Sequence, residues 1–229
     1  MGNIVVGVEG EVASGKTSAC RELTNLIDNC VFIDGGALYR GIILAISKAG
    51  INLKDLMHNF DALELMKKLN VELRIENKET VIYINNKKID INEIQTEKNS
   101  IGVSSIASKV DNTPIFKFAQ KVIDENKKKY NVIVSARDLV DIYPNMDYHI
   151  YITASLEERA KRRFKEFNEK ISFEEIKETI LKRDEMHKKA GFNKTCDKTI
   201  KVDITECHSA KESAKKILQE MEKKGWKNI

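Results

Sequence analysis

Short apolar runs alternate along the chain with longer segments in which apolar residues recur every three or four positions. A near-continuous apolar run predicts a strand buried on both faces, and the longer spacing predicts a helix with one apolar face. The predicted strands cover 4–8, 31–34, 131–134, 149–152 and 199–202. The predicted helices cover 18–27, 37–49, 55–69, 97–110, 113–128 and 210–221. This alternation predicts an α/β fold, a parallel sheet flanked by helices, with ligands at the carboxyl ends of the strands.

The hydrophobic period shortens to two residues in the middle of the chain. Apolar and charged residues alternate over 71–75, a turn follows at 77–78, and a second apolar run covers 81–84. This pattern predicts a β-hairpin, and we interpret about 71–92 as a small antiparallel β subdomain inserted into the β/α series. The length allows one large core and not two, so 1–229 is predicted to be a single domain.

Two serines mark the starts of two further helices. Ser155 is followed three residues later by Glu158, and Ser172 by Glu175. In this arrangement, a capping box, the serine and glutamate side chains each satisfy a backbone N–H at the start of a helix. We therefore predict that helices begin directly after Ser155 and Ser172.

Composition excludes several classes of function. The net charge of +4 is mild and the lysines are interleaved with glutamates, so no nucleic-acid partner is expected. No apolar stretch approaches the roughly 20 residues that cross a bilayer, and the N-terminus lacks a signal-peptide pattern. We expect a cytoplasmic monomer without a membrane partner. The four cysteines lack C-x-x-C spacing, which argues against a zinc site or a disulfide framework.

Residues 10–17, Gly-Glu-Val-Ala-Ser-Gly-Lys-Thr, match the P-loop pattern G-x-x-x-x-G-K-[ST] in full. The glycines let backbone N–H groups turn towards phosphate oxygens, and the following helix directs the positive end of its dipole at them. Lys16 is expected to reach the β- and γ-phosphates of a nucleoside triphosphate, and Thr17 to hold Mg²⁺ through its hydroxyl. The expected nucleotide contacts are Gly10, Ser14, Gly15, Lys16, Thr17 and Ser18.

Further charged residues fall at or beyond predicted strand ends. Arg40 lies one turn into a predicted helix, where it either reaches an anion or faces solvent. Arg137 and Asp138 follow a strand directly, and either bind polar groups of a ligand or form a structural ion pair. On one predicted helix, spacings of three and four bring three arginines to one face, where they can converge on an anion or form a basic surface. These are Arg159, Arg162 and Arg163, and Arg183 lies about one helix further on.

These segments together resemble the cytidylate kinase family of nucleoside monophosphate kinases over almost the full chain. The P-loop is followed at 34–40 by Asp-Gly-Gly-Ala-Leu-Tyr-Arg, which is similar to the family's D-[ST]-G-A-x-Y-R. Ala-Arg-Asp at 136–138 is similar to G-R-D, and the arginine-rich helix and Arg183-Asp184 follow in the family's order. The resemblance implies transfer of the γ-phosphoryl group of ATP to the α-phosphate of CMP or dCMP.

The resemblance also implies roles for individual residues. Arg40 and Arg137 would bind the acceptor phosphate, Ser108 and Asp138 the base, and Arg183 the ribose. A lid over about 157–185 would carry Arg159, Arg162 and Arg163, of which Arg162 is expected to contact the nucleotide. The expected catalytic residues are Lys16, Arg137, Arg159 and Arg163. An acceptor phosphate is already an anionic nucleophile, so no general base is required.

The chain departs from the family pattern on the acceptor side. Gly35 replaces a serine or threonine, Lys117 an arginine, and Ser135 an aspartate. His187 and Ala190 stand where the family has an aspartate and an arginine. Losing such partners from a buried polar site costs on the order of 2–5 kcal/mol of discrimination between acceptors. Gly35, Lys117 and His187 remain among the expected substrate contacts.

Two alternatives remain at this point. The chain is either a P-loop kinase for a different acceptor or a nucleotide-binding regulatory protein without transfer activity. A hydroxyl acceptor needs a carboxylate base, for which Glu9, Asp34 and Asp138 are the candidates.

Overall fold

The computed structural model describes residues 2–52, 61–94, 113–166 and 171–227. Eight strands in this part of the chain form one sheet. The strands are β1 (Val5–Gly10), β2 (Cys30–Asp34), β3 (Val71–Glu76), β4 (Glu79–Ile84), β5 (Lys87–Lys88), β6 (Asn131–Ser135), β7 (Tyr148–Thr153) and β8 (Thr199–Asp203). The helices are α1 (Lys16–Leu26), α2 (Gly35–Lys48), α3 (Ala62–Lys68), α4 (Ile91–Ile94), α5 (Thr113–Lys127), α6 (Leu139–Ile142), α7 (Leu156–Glu166), α8 (Phe173–Lys189) and α9 (Ala210–Lys223).

The first strand, β1, lies inside the sheet rather than at its edge. The strand order is β3-β4-β2-β6-β1-β7-β8, with β5 paired to β4. From β2 to β8 every neighbouring pair is parallel. Because β2 and β6 lie on one side of β1 and β7 and β8 on the other, the connections change direction at β1. In open α/β sheets a ligand crevice forms at such a point, outside the carboxyl ends of the strands.

Two apolar layers cover the sheet. On one face, α1 and α9 bury Leu23 and Ile217 completely against the strands. On the other face, α2, α5 and α6 bury Ile42, Ile123 and Leu139. Each buried side chain of this size contributes about 1.5–3 kcal/mol relative to an exposed one. The sheet is therefore a rigid scaffold for the polar residues at the carboxyl ends of its strands.

The helices α7 and α8 have a small apolar cluster of their own. Ala160, Ile176 and Ile180 are buried there together with Val12, which belongs to the P-loop. The predicted capping box at Ser172 is present, because its side chain accepts from the Glu175 N–H while the Glu175 side chain accepts in return. The two helices thus begin where the sequence predicted and pack directly on the phosphate-binding loop.

The five predicted parallel strands are confirmed within two residues at each end. The predicted hairpin is formed by β3 and β4, and the pairing of Glu79 with Phe32 joins it to the main sheet. The predicted boundaries of the inserted subdomain (71–92) and the lid (157–185) stay predictions.

The prediction of one continuous helix over 55–69 is wrong at Asp61, whose backbone is extended. The described part of the helix begins at Ala62, because the Asp61 side chain accepts from the N–H groups of Leu63 and Glu64 and caps the helix there. Residues 53–60 and the whole predicted helix over 97–110 lie outside the described residues. Within the described chain, no helix has the length and apolar character needed to span a membrane.

Candidate active site

The P-loop connects β1 to α1 at the centre of the crevice. Gly10 has a φ of 150°, and a Cβ there would collide with the Ile152 carbonyl. Gly15, with a φ of 87°, is the N-cap of α1 and provides no side-chain hydrogen bond to the first turn. Because the first N–H groups of a helix have no partner within it, the start of α1 can bind phosphate oxygens.

Lys16 folds back over the loop. Its Nζ donates to the carbonyl oxygens of Gly10 (2.9 Å) and Glu11 (2.8 Å). Burial, followed by the positive charge of Arg137, lowers the pKa of Lys16 to about 8. A bound phosphate would favour the charged form and reverse this shift. Lys16 is therefore positioned as a cation at the centre of the candidate nucleotide site.

Three arginines face the crevice from different elements. Arg40 lies in α2, Arg137 follows β6 and Arg183 lies in α8. Desolvation, then the charges of Arg183 and Arg40, lowers the pKa of Arg137. The Nε of Arg40 is buried and has no hydrogen-bond partner among the described residues. Buried donors are nearly always satisfied, so an unpaired one beside other cations indicates an anion site.

An aromatic residue completes the group around Arg137. The Phe192 ring lies 5.9 Å from the Arg137 guanidinium carbon and 5.7 Å, edge to face, from the His187 ring. Desolvation lowers the pKa of His187 to about 4, and Arg137 contributes further. His187 is therefore neutral at pH 7, and its imidazole can both donate and accept a hydrogen bond. Phe192 was missed in the sequence because it lies in a loop without a motif.

Asp138 lies beside this cationic group in a left-handed backbone conformation, with a φ of 61°. Burial, then the negative charges of Glu9 and Asp141, raises its pKa to about 6. At neutral pH the carboxylate form predominates, and it offers hydrogen-bond acceptors in an otherwise positive crevice.

The other two candidate bases bond to the protein itself. Glu9 is completely buried, with Oε1 accepting from the Leu139 N–H (2.6 Å) and Oε2 lying 3.1 Å from His149 Nε2. Asp34 caps α2 by accepting from the Ala37 N–H (3.0 Å). These contacts do not favour the alternative in which Glu9 or Asp34 deprotonates a hydroxyl acceptor.

Each of the three arginines of α7 bonds to partners within the protein. Arg159 is 5% exposed, and its Nη1 donates to Asp184 Oδ2 (2.6 Å) and to the Val12 carbonyl (3.1 Å). Arg162 donates to the carbonyl oxygens of Ser14, Ile204 and Cys207, and Arg163 pairs with Glu166. Arg159 and Arg162 thus both contact the P-loop, at Val12 and Ser14, and convergence of the three arginines on a bound anion stays a prediction. The catalytic role predicted for Arg159 and Arg163 stays a prediction.

Gly35 and Ala136 face each other across the carboxyl ends of β2 and β6. A Cβ on Gly35 would lie 2.8 Å from the Ala136 Cβ and 3.1 Å from the Ser135 carbonyl oxygen. Close-packed interiors do not accept such contacts without movement. Ala136 stands where the family's G-R-D has its glycine. Its Cβ leaves no room for a side chain at position 35, which explains why a glycine is present there.

Two predicted substrate contacts add little to this geometry. Ser108 lies outside the described residues, and Lys117 is exposed on α5. Among the described side chains, no group of three His, Cys, Asp or Glu residues has the geometry of a metal site. Thr17 lies in the first turn of α1, next to Lys16.

Comparisons with known proteins agree with this arrangement. A family model described as Cytidylate kinase matches residues 6–223. The chain is 32% identical over 213 residues to the cytidylate kinase of Fusobacterium nucleatum subsp. nucleatum, covering 90% of this chain and 91% of that one. It is 30% identical over 219 residues to the cytidylate kinase of Bacillus pumilus, covering 93% of each.

A solved structure supports the fold alone. TT1252 from Thermus thermophilus aligns with a TM-score of 0.50 and 12% identity, covering 99% of this chain and 100% of that one. The sequence matches reach further, because they include both the P-loop and the residues of the crevice. On the extent of the family match and the identity to curated relatives, the chain belongs to the cytidylate kinase family.

Proposed function

We propose that this protein transfers the γ-phosphoryl group of ATP to CMP or dCMP and releases ADP with CDP or dCDP. The observation that carries the proposal is the unpaired cationic group beside the P-loop. Arg137 and Arg183 form no hydrogen bond with the described residues, and the Arg40 Nε is buried without a partner. Two phosphate groups, one from each substrate, supply the missing negative charge.

On the donor side, the N–H groups at the start of α1 bind the phosphates of ATP and Lys16 neutralises the transferring group. Gly10, Ser14, Gly15 and Ser18 line this loop, and Arg162 holds its Ser14 carbonyl. Mg²⁺ would be held by the Thr17 hydroxyl and would neutralise charge that develops on the phosphate oxygens. Loop glycines and a free helix start are the features such a site requires.

On the acceptor side, Arg40 and Arg137 orient the phosphate of the nucleoside monophosphate towards the γ-phosphoryl group. Its oxygen is already an anion, so the protein needs to position and neutralise rather than remove a proton. Arg183 and neutral His187 suit the ribose hydroxyls, and Asp138 suits the exocyclic amine of cytosine. We propose that Gly35, Ser108 and Lys117 also contact the acceptor.

Closure belongs to the same proposal. The lid over 157–185, with Arg159 and Arg163, covers the donor, and the subdomain over 71–92 covers the acceptor. Exclusion of water protects ATP from hydrolysis while the two substrates meet. We propose that the protein works in the cytoplasm as a monomer.

A coupled assay of ADP release tests the function. Mg-ATP is supplied with CMP, dCMP, UMP, AMP, GMP or dTMP, and with unphosphorylated nucleosides. We expect rapid turnover with CMP and dCMP, and a loss of about 1,000-fold in Lys16→Met. The exposed α3 residue Lys67, changed to Met, serves as the matched control. Turnover confined to a different acceptor, or absent with every acceptor, would contradict the proposal.

A further inference from the structure

Glu9 is the next-to-last residue of β1, directly before the P-loop, and no solvent reaches it. A buried carboxylate is costly unless hydrogen bonds and charges compensate it. Glu9 has two hydrogen-bonding partners, the Leu139 N–H at 2.6 Å and His149 Nε2 at 3.1 Å. His149 is also completely buried. These contacts leave Glu9 no access to a substrate.

The hydrogen-bond chain that runs from Leu139 through Glu9 to His149 continues to Thr199. The Nδ1 of His149 lies 2.8 Å from the Thr199 hydroxyl, which accepts from the Cys196 N–H at 2.7 Å. The chain therefore joins β1, the turn after β6, β7 and β8 across the floor of the crevice. Both ring nitrogens of His149 are engaged, so the imidazole is held at both ends and holds Glu9 in one orientation.

The end of this chain nearest the substrates is the turn at 136–139. Leu139 directly follows Arg137 and Asp138, and Asp138 has the left-handed conformation that few residues other than glycine adopt. Such a conformation persists only when the surroundings impose it. The short bond from the Leu139 N–H to Glu9 ties the backbone of this turn to the sheet, and the buried Leu139 side chain packs in the core beside it.

We propose that Glu9 is a positioning residue for acceptor binding: with His149 it fixes the turn that presents Arg137 and Asp138 to the nucleoside monophosphate. The inference rests on the proposed function for the identity of the acceptor. Glu9 acts through the turn and touches neither substrate.

The charge of Glu9 gives the proposal an electrostatic readout. Glu9 is the second cause, after burial, of the raised pKa of Asp138. The other charged groups that face Asp138 are Asp141, Lys194 and Arg137, and the titratable but neutral phenol of Tyr39 faces it as well. Removing the Glu9 charge while the turn stays in place lowers the pKa of Asp138.

Two substitutions separate position from charge. Glu9→Gln keeps an oxygen for the Leu139 N–H, so the KM for CMP stays within about threefold of wild type. Its pH profile for kcat/KM with CMP moves to lower pH by roughly one unit. Glu9→Ala leaves the Leu139 N–H unbonded, and the KM for CMP rises at least tenfold while the KM for ATP stays within about twofold. His149→Phe raises the KM for CMP in the same direction by a smaller factor.

The control is Ile217→Val, which removes one methylene group from the buried core between α9 and the sheet. It lowers the melting temperature and leaves both KM values and the pH profile unchanged. Calorimetry measures the binding of CMP in the absence of ATP and so compares the variants independently of turnover. If the wild type binds CMP but does not transfer phosphate, the proposed function is wrong while the positioning role of Glu9 can still be tested. An unchanged pH profile in Glu9→Gln together with unchanged CMP binding in folded Glu9→Ala would overturn the positioning role. Equal rises in the KM values of CMP and ATP would overturn it too.

Discussion

Both the donor and the acceptor sides of the crevice carry arginines, but the hydrogen bonding of these arginines differs between the two sides. On the donor side, Arg159 and Arg162 bond to carboxylates and to carbonyl oxygens of the P-loop and its neighbours. On the acceptor side, Arg137 and Arg183 form no hydrogen bond with the described part of the chain. The donor-side arginines are therefore paired within the protein, whereas the acceptor-side arginines are like charges that lie close together without such partners among the described residues.

The difference separates residues that maintain the site from residues that receive a ligand. Asp184 illustrates the first kind, since its two oxygens accept from the Val12 N–H (3.2 Å) and from Arg159 (2.6 Å). It thereby ties α8 to the P-loop before any nucleotide binds. The acceptor arginines repel one another until an anion enters, so binding there relieves a charge imbalance in the protein itself.

The strongest way to break this comparison is to remove one arginine from each side and measure stability. Arg159→Met leaves the Asp184 carboxylate beside a vacated buried site, and we expect a loss of about 3–5 kcal/mol in the free energy of unfolding. Arg137→Met removes a charge that repels its neighbours, and we expect no loss, or a gain of up to about 1 kcal/mol. Urea denaturation at low salt measures both.

The double variant Arg159→Met/Asp184→Leu is the internal control. If the loss in Arg159→Met arises from an unpaired carboxylate, the double variant recovers part of it. Equal losses of stability in Arg159→Met and Arg137→Met would remove the distinction between the two sides.

The KM values for CMP and ATP test the same difference between the acceptor and donor sides. Arg137→Met should raise the KM for CMP about 100-fold, because a charge-assisted hydrogen bond to phosphate is lost. The KM for ATP should change by no more than about twofold. Arg21→Met on the exposed surface of α1 is the control, since it breaks only a solvent-exposed ion pair with Glu79. A rise in the KM for ATP as large as that for CMP would mean that Arg137 serves both sides.

The sequence predicted the donor loop far better than the contacts around it. The P-loop is a run of consecutive residues, and its strand and helix are signalled by their own hydrophobic period. Glu9 and His149, by contrast, are 140 residues apart and meet only because β1 and β7 are neighbours in the sheet. Hydrophobic period says where strands are but not which ones pair.

The same limit explains the arginines of α7. Helical spacing correctly predicted that they lie close along one helix. It carried no information on Asp184, which lies 25 residues further along the chain and pairs with Arg159. Long-range partners decide where a long side chain points.

Titration distinguishes two acceptor residues by the sign of their effect. The pKa of His187 is about 4 in the folded protein against 6.5 when unfolded, so the unfolded state binds more protons between these values. His187 therefore reduces stability as the pH falls from 6.5 towards 4. The pKa of Asp138 is about 6 against 3.8, so the folded state binds more protons and this residue adds stability over the same fall.

We expect His187→Gln to remove an acid-induced loss on the order of 1 kcal/mol between pH 7 and pH 5. Asp138→Asn should have the opposite effect and make the protein more sensitive to acid. Unfolding free energies of the three proteins at the two pH values measure this. Curves that stay parallel to wild type for both variants would mean that the crevice does not perturb either group.

Gly35 and Ala136 meet at the carboxyl ends of β2 and β6. Gly35→Ser introduces a Cβ within 2.8 Å of the Ala136 Cβ, and we expect it to lower the free energy of unfolding by about 1–3 kcal/mol. Ala136→Gly frees that space and costs about 0.5–1 kcal/mol by itself through backbone entropy. In the double variant the serine enters the space that the methyl group left, so the two losses should fail to add by about 1 kcal/mol. Additive losses would mean that the backbone moves apart to accept the serine. Recovery would show that one steric choice at the ends of β2 and β6 determines which side of the pocket carries a side chain.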